Sequence, residues 1–175
     1  EAGRQRDAAN WYRVNPHRLH LGIVGLELPE GTGFDAFTEV NQTLDLMNGQ
    51  INSSYKLNGK PVSVQTVCHP ERDIMSSMIA ATEPMAIKLC YAYPTGAHSD
   101  DASNWNANDK HSTTLVASTD NSATLKRVID ESVYYVVLQW EGNATLTEKE
   151  ANYFVLSATC DTLSFSCEYR LETPS

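Results

Sequence analysis

Basic residues are scarce in this chain: 13 Lys and Arg stand against 22 Asp and Glu, a net charge of −9 over 175 residues. Nucleic acids and anionic membrane surfaces need a basic footprint, so neither is expected as a partner. Long apolar runs are lacking too, and none approaches the roughly 20 residues of a membrane span. No CxxC pair occurs, which argues against a finger or ribbon zinc site. The motifs GxSxG, HExxH, GxxxxGK[ST] and GxGxxG are all missing, which disfavours serine hydrolases, zincins and nucleotide enzymes. No cofactor is expected. A repeat period, the mark of a propeller, is absent. Helical periodicity is equally scarce: no helix longer than about two turns is predicted, with one candidate turn at Thr147-Glu148-Lys149-Glu150.

What is present is β-type sequence. Residues 1–14 are polar and aperiodic, and read as a surface lead-in pinned by Trp11 and Tyr12. Residues 15–171 read as one domain, and 172–175 as the start of a linker. The chain begins EAGRQRDAAN, with neither Met nor an apolar signal-peptide core, and is read as processed or as a piece of a longer protein. A first strand is predicted over Arg18 to Leu28, interrupted by Gly22 and Gly25, where a bulge or close backbone approach is expected. Phe34 to Thr43 is ambiguous. Asn48-Gly49 and Asn58-Gly59 are hairpin signals between alternating runs. His69-Pro70-Glu71-Arg72-Asp73 is a turn. Strands follow at Ile74 to Ala81, Met85 to Tyr93, Ser112 to Thr119, Ala123 to Asp130, Val133 to Trp140 and Tyr153 to Thr159. In Leu163 to Leu171, apolar and polar residues alternate cleanly. About ten or more short strands with turns between them predict an all-β, antiparallel β-sandwich of two packed sheets.

Four cysteines (Cys68, Cys90, Cys160, Cys167) and three sequons, at Asn41, Asn52 and Asn143, accompany an acidic composition. Together they favour a secreted glycoprotein with disulfides. Four cysteines allow three connectivities. A Cys160–Cys167 bridge would close a short loop worth about 2–3 kcal/mol, but the spacing leaves the pairing open.

The first candidate for function is the polar excursion within Lys88 to Thr114. It carries His98, Asp100, Asp101, Asn104, Trp105, Asn106, Asp109, Lys110 and His111. Long loops inside compact domains are commonly functional. Three readings stay open. A Trp ring can face a sugar while Asp, Asn and His bind its hydroxyls. His98, Asp100, Asp101, Asp109 and His111 are of metal-ligand type, though their spacing matches no known loop. The loop is otherwise solvated, its Asp and Asn residues capping its own turns. His17, His20 and His69 read as hydrogen-bonded structural histidines. No metal site and no catalytic residue is assigned.

The runs NPHRLHLGIVGLEL, LDLMNGQINSSYKLNGKPVSVQTVCHPERDIMSSMI and YAYPTGAHSDDASNWNANDKHSTT resemble the N-terminal β-domain of six-hairpin glycosidases. These are glycoside hydrolase family 65-like enzymes, with family 95 α-L-fucosidases as relatives. The likeness runs from about residue 11 to residue 120. It implies a β-supersandwich, galactose mutarotase-like in fold, that packs on an (α/α)6 barrel carrying the acid and base carboxylates. On that reading the chain is the non-catalytic sandwich of a secreted glycoside hydrolase. Its partners are the catalytic barrel domain of the same parent protein and a carbohydrate. Asp101, Trp105 and His111 are the expected contacts with the barrel or the sugar. The alternative is a free-standing carbohydrate-binding module. A third reading, a mutarotase-like epimerase, needs a His and a carboxylate facing each other on the concave sheet.

Overall fold

A computed structural model describes residues 2–14, 19–97 and 102–173. Fourteen strands follow one helix: α1 (Ala2–Val14), β1 (Ile23–Glu27), β2 (Phe37–Asp45), β3 (Gln50–Leu57), β4 (Lys60–Cys68), β5 (Ile74–Ala81), β6 (Ala86–Cys90), β7 (Tyr93–Pro94), β8 (Ser103–Asn104), β9 (His111–Ser118), β10 (Ser122–Ile129), β11 (Ser132–Glu141), β12 (Ala144–Glu150), β13 (Tyr153–Ala158) and β14 (Thr162–Arg170). A 3-10 turn, Phe34–Ala36, leads into β2.

Two antiparallel sheets make the sandwich. The larger has eight strands in the order β2-β3-β4-β5-β14-β11-β10-β9, the smaller four in the order β1-β6-β13-β12. The expected antiparallel sandwich is therefore what forms. Alternation sets the core. In β10, Ala123, Leu125, Arg127 and Ile129 point inward at 2% exposure or less. In β14, Leu163, Phe165 and Cys167 are likewise buried and point inward. Ile87, Leu89, Phe154 and Leu156 of the small sheet close against them in one cluster. Apolar area removed from water this way contributes about 1.5–3 kcal/mol for each fully buried large side chain.

The two-residue hairpin at Asn58-Gly59 forms as read. Leu57 pairs with Lys60, and both turn residues take positive φ, 50° and 80°, which suits the right-handed twist of the flanking strands. The first strand is shorter than predicted. Gly22 has φ +121°, and a Cβ there would lie 2.7 Å from the Tyr91 ring, so the chain passes Tyr91 too closely for any other residue and the ladder starts only at Ile23.

Three expectations are corrected. The lead-in is helical: Ala, Arg and Gln favour a helix by intrinsic propensity even without an apolar stripe. Neither of its rings is buried, Trp11 being 65% exposed and Tyr12 78%. Thr147–Glu150 is not a helical turn but the end of edge strand β12, whose Lys149 reaches across to Glu27 at 2.6 Å. Charges on a free edge discourage pairing with another chain.

The third correction concerns the cysteines, all four of which carry free thiols. Cys68 and Cys167 both lie opposite Met75, on strands flanking β5, so two strand spacings of about 4.8 Å separate them, beyond disulfide reach. Cys90 belongs to the other sheet, opposite Ile23 and Tyr153. Cys160 precedes β14, and the five residue steps from Thr162 to Cys167 alone extend about 16 Å. Its Sγ lies 2.9 Å from the Thr162 carbonyl. Burial pushes the Cys167 thiol up to about 12.

Candidate functional site

The long excursion leaves the sandwich where β6 ends. Tyr91 N–H bonds to the Asn152 carbonyl at 3.1 Å instead of continuing the ladder. The chain then forms a small clasp: Tyr93 pairs with Asn104 and Pro94 with Ser103, and Thr95 N–H donates to the Ala102 carbonyl at 3.1 Å. Local bonds shape the return path. Asn104 Oδ1 accepts from Asn106 N–H at 3.0 Å, and Lys110 N–H donates to the Ala107 carbonyl at 3.1 Å. Lys110 Nζ stands 5.5 Å over the Tyr93 ring, whose hydroxyl bonds to Asp130 at 3.1 Å.

The predicted contact residues separate here. Trp105 is 42% exposed and meets His20 edge-on, with ring centroids 5.7 Å apart. His111 begins β9 facing inward and is only 7% exposed. Asp101 lies outside the described residues, as do His17, His98 and Asp100. His69 is tied into its own turn: its Nδ1 accepts from Glu71 N–H and Arg72 N–H, both at 3.1 Å. Among the described residues no group of three or more His, Cys, Asp or Glu is placed to hold a metal ion.

Beneath the loop sits a side chain the sequence reading passed over. Arg127 is at 0% exposure between the sheets. Its Nη1 lies 2.8 Å from His111 Nδ1, 2.8 Å from Thr113 Oγ1 and 3.2 Å from Asn152 Oδ1. Nε reaches the Tyr134 hydroxyl at 3.3 Å, and that hydroxyl donates to the Leu21 carbonyl at 3.2 Å. The guanidinium lies 4.7 Å over the Tyr91 ring and 5.9 Å from that of Tyr134. Asn152 Nδ2 continues the chain to Asn108 Oδ1 in the loop at 3.2 Å.

A buried cation is costly unless it is hydrogen-bonded and faced by polarizable groups. Two rings and five polar partners, the fifth being the Ser112 carbonyl at 3.3 Å from Nη1, meet part of that demand. No carboxylate contacts Arg127 among the described residues. Guanidinium always donates, so His111 Nδ1 must accept and stay unprotonated. Burial, and then the Arg127 charge, hold the His111 pKa below its usual value. Tyr91 is pushed well up by burial. The cluster is a polar plug that fixes the base of the loop through Asn108 and His111. One signal for it was available: Arg127 shares the phase of Ala123, Leu125 and Ile129, so the β10 alternation itself places it inward.

A second feature lies at the far side of the molecule. The four-stranded sheet covers only part of the eight-stranded one, and β2 with the turn end of β3 extends past it. One register row shows the effect: Leu44, Ile51, Thr66, Ser77, Phe165 and Trp140 are opposite one another in succession. Exposure falls along it from Leu44 at 56% and Ile51 at 38% to Ser77 at 8%, Phe165 at 6% and Trp140 at 4%. Leu46 and Met47, in the turn, are 82% and 91% exposed. Here, among the described residues, the core-facing side of the sheet is left uncovered. On the opposite face of the same hairpin stand the sequon residues Asn41 and Asn52, diagonal neighbours through the pairs Asn41–Ser54 and Thr43–Asn52. Asn143, exposed, sits in the crossing from β11 to β12.

The fold defines a class, an antiparallel β-sandwich of one large and one small sheet. No family model matches the chain, and no curated protein matches it. Among solved structures, one titled "Putative kojibiose phosphorylase from human microbiome" is similar over 76% of this chain, with a TM-score of 0.49 and 12% identity. The chain covers 19% of that protein's length.

Proposed function

We propose that this chain is a non-catalytic sandwich domain of a larger, secreted carbohydrate-active protein of the six-hairpin glycosidase type. The proposal rests on the sequence motifs given above, which also carry the kinship with family 95 α-L-fucosidases. The single structural observation behind it is the uncovered apolar end of the large sheet. Leu44, Leu46, Met47 and Ile51 form a contiguous apolar surface with polar neighbours, the kind that marks a protein contact. Its occupant is the catalytic (α/α)6 barrel domain of the same protein. The long loop, with Trp105 half-exposed, reaches the carbohydrate pocket, with Asp101 as a second contact expected from the sequence, and His111 holds the loop's base. Asn41, Asn52 and Asn143 carry glycans. An epimerase reading finds no support: among the described residues no histidine lies within hydrogen-bond reach of a carboxylate, on either sheet.

The decisive measurement is the coding frame beyond Ser175 together with the mass of the natural product. The frame is expected to continue into helical hairpins, and the uninterrupted product to lose a cross-link between the β2–β3 turn and the helical part when Leu46→Glu and Met47→Glu are combined. A product whose mass matches this chain alone sinks the reading. Secretion is checked separately, by a mass shift on enzymatic deglycosylation.

A further inference from the structure

A concavity of about 580 Å³ lies elsewhere, on the outer face of the eight-stranded sheet. Its floor is built of register rows. In the first, Val67, Ser76, Ser166, Gln139 and Ser122 stand directly opposite one another on five adjacent strands. The second row, two residues along, is Gln65, Met78, Ser164 and Glu141. Five strands at about 4.8 Å spacing make a floor roughly 20 Å long across the sheet.

The chemistry of this floor is narrow. Hydroxyls and carboxamides dominate it, with one carboxylate at Glu141 and no Lys, Arg or His. Among the described residues, the side chains of Gln65, Ser76, Gln139, Glu141, Ser164 and Ser166 have no hydrogen bond or ion pair within the protein. Each carboxamide therefore offers both a donor and an acceptor, and each hydroxyl can do either. Val67 and Met78, 38% and 41% exposed, give the floor an apolar strip at one end. The next row begins with Glu168, already neutralised by Arg72 and Arg170, each at 2.6 Å.

From this we infer that the outer-face groove binds a neutral, polyhydroxylated chain, an uncharged oligosaccharide lying across the strands. Paired donors and acceptors match sugar hydroxyls, and the Val67–Met78 strip takes a C–H face. Anionic ligands are disfavoured by Glu141, the absence of a cation on the floor and the net charge of −9. An extended peptide is a poorer fit. Peptides add to a sheet through a free edge, whereas the floor strands β4, β5, β14, β11 and β10 are all interior to the sheet. The inference does not depend on the docking of a second domain, nor on the long loop.

The test is nitrogen-15 shift mapping of the bacterially produced chain, so that no glycan on Asn41 or Asn52 shields the face. The probes are maltohexaose, cellohexaose and laminarihexaose, with oligogalacturonate, a chitosan oligomer and a polar hexapeptide for contrast. At least one neutral glucan is expected to bind saturably at or below about 1 mM, with shifts confined to the floor strands β4, β5, β14, β11 and β10. The double variant Gln139→Ala with Ser166→Ala should weaken that binding about tenfold or more with an unchanged melting temperature, both side chains being on the outer face. Trp105→Ala should leave it unaltered. The inference is overturned if no neutral glucan binds, if a charged oligomer or the peptide binds more tightly, or if only Trp105→Ala abolishes binding.

Discussion

Two strands of the eight-stranded sheet, β10 inside it and β2 at its edge, obey the same sequence grammar and reach opposite outcomes. In β10 every second side chain is sealed, down to an arginine at 0% exposure. In β2, eight of nine residues are exposed, on both faces. Alternation decides which side chains share a face. Whether that face is dry depends on what lies opposite, and a four-stranded sheet cannot cover eight strands. Covered strands are accordingly where stability resides, and the overhang is where surface remains for a partner.

This contrast can be broken at several points. The largest effect is expected at Arg127. Arg127→Ala leaves a cavity and strands Thr113, Asn152 and Tyr134, and should cost about 3–5 kcal/mol in urea unfolding. Arg127→Met, which fills the space without asking for partners, should cost clearly less. Equal losses for the two would show that filling the space contributes nothing and that the lost hydrogen bonds account for the whole cost. Next comes Leu125→Ala, at 0% exposure, with an expected loss of about 2–5 kcal/mol.

A pH effect follows from His111. Its folded pKa is depressed, so on acidification the unfolded chain takes up the proton first. The contribution is fully present above the unfolded value near 6.5, and stability falls as pH drops below it towards the folded value. Urea midpoints between pH 8 and 5 should slope less steeply in His111→Gln than in the parent; parallel curves would refute this. Glu27 and Glu168 act at lower pH with the same sign, since their lowered pKa values make their contribution fade as carboxylates protonate. The smallest change is expected for Leu44→Ala, within about 0.5 kcal/mol, because its side chain is already wet in the isolated chain. A loss comparable to that of Leu125→Ala would mean that the overhang is covered in solution.

Strand positions were legible because the local signals agreed. Asn58-Gly59 combined the right turn residues with alternating flanks, and Leu163 to Leu171 kept a strict period. What escaped depended on distant chain. The helix Ala2–Val14 was invisible to a search for apolar periodicity, since it has propensity without a stripe. The thiols stay apart because sheet order, unknown from spacing, places β5 between Cys68 and Cys167. Around the loop, Trp105 was found as an exposed ring. For His111, expected as a contact with the barrel or the sugar, nothing local reveals that position 111 opens an inward-facing strand. Arg127 is the clearest lesson: a charge in a core phase is easily read past, yet it gathers the loop's base around itself.

That gathering bears on how the chain reaches its fold. The partners of Arg127 lie 7, 14, 15, 16 and 25 residues away in sequence, and Tyr134 ties the same cluster to Leu21 across 113 residues. A sheet assembled with one strand out of register would bury the guanidinium against methyl groups. Such a misfolded state carries a large desolvation cost, and the gap between it and the native state widens accordingly. The arginine thus acts as an error check on strand order, accepting only the arrangement in which five separate segments arrive together.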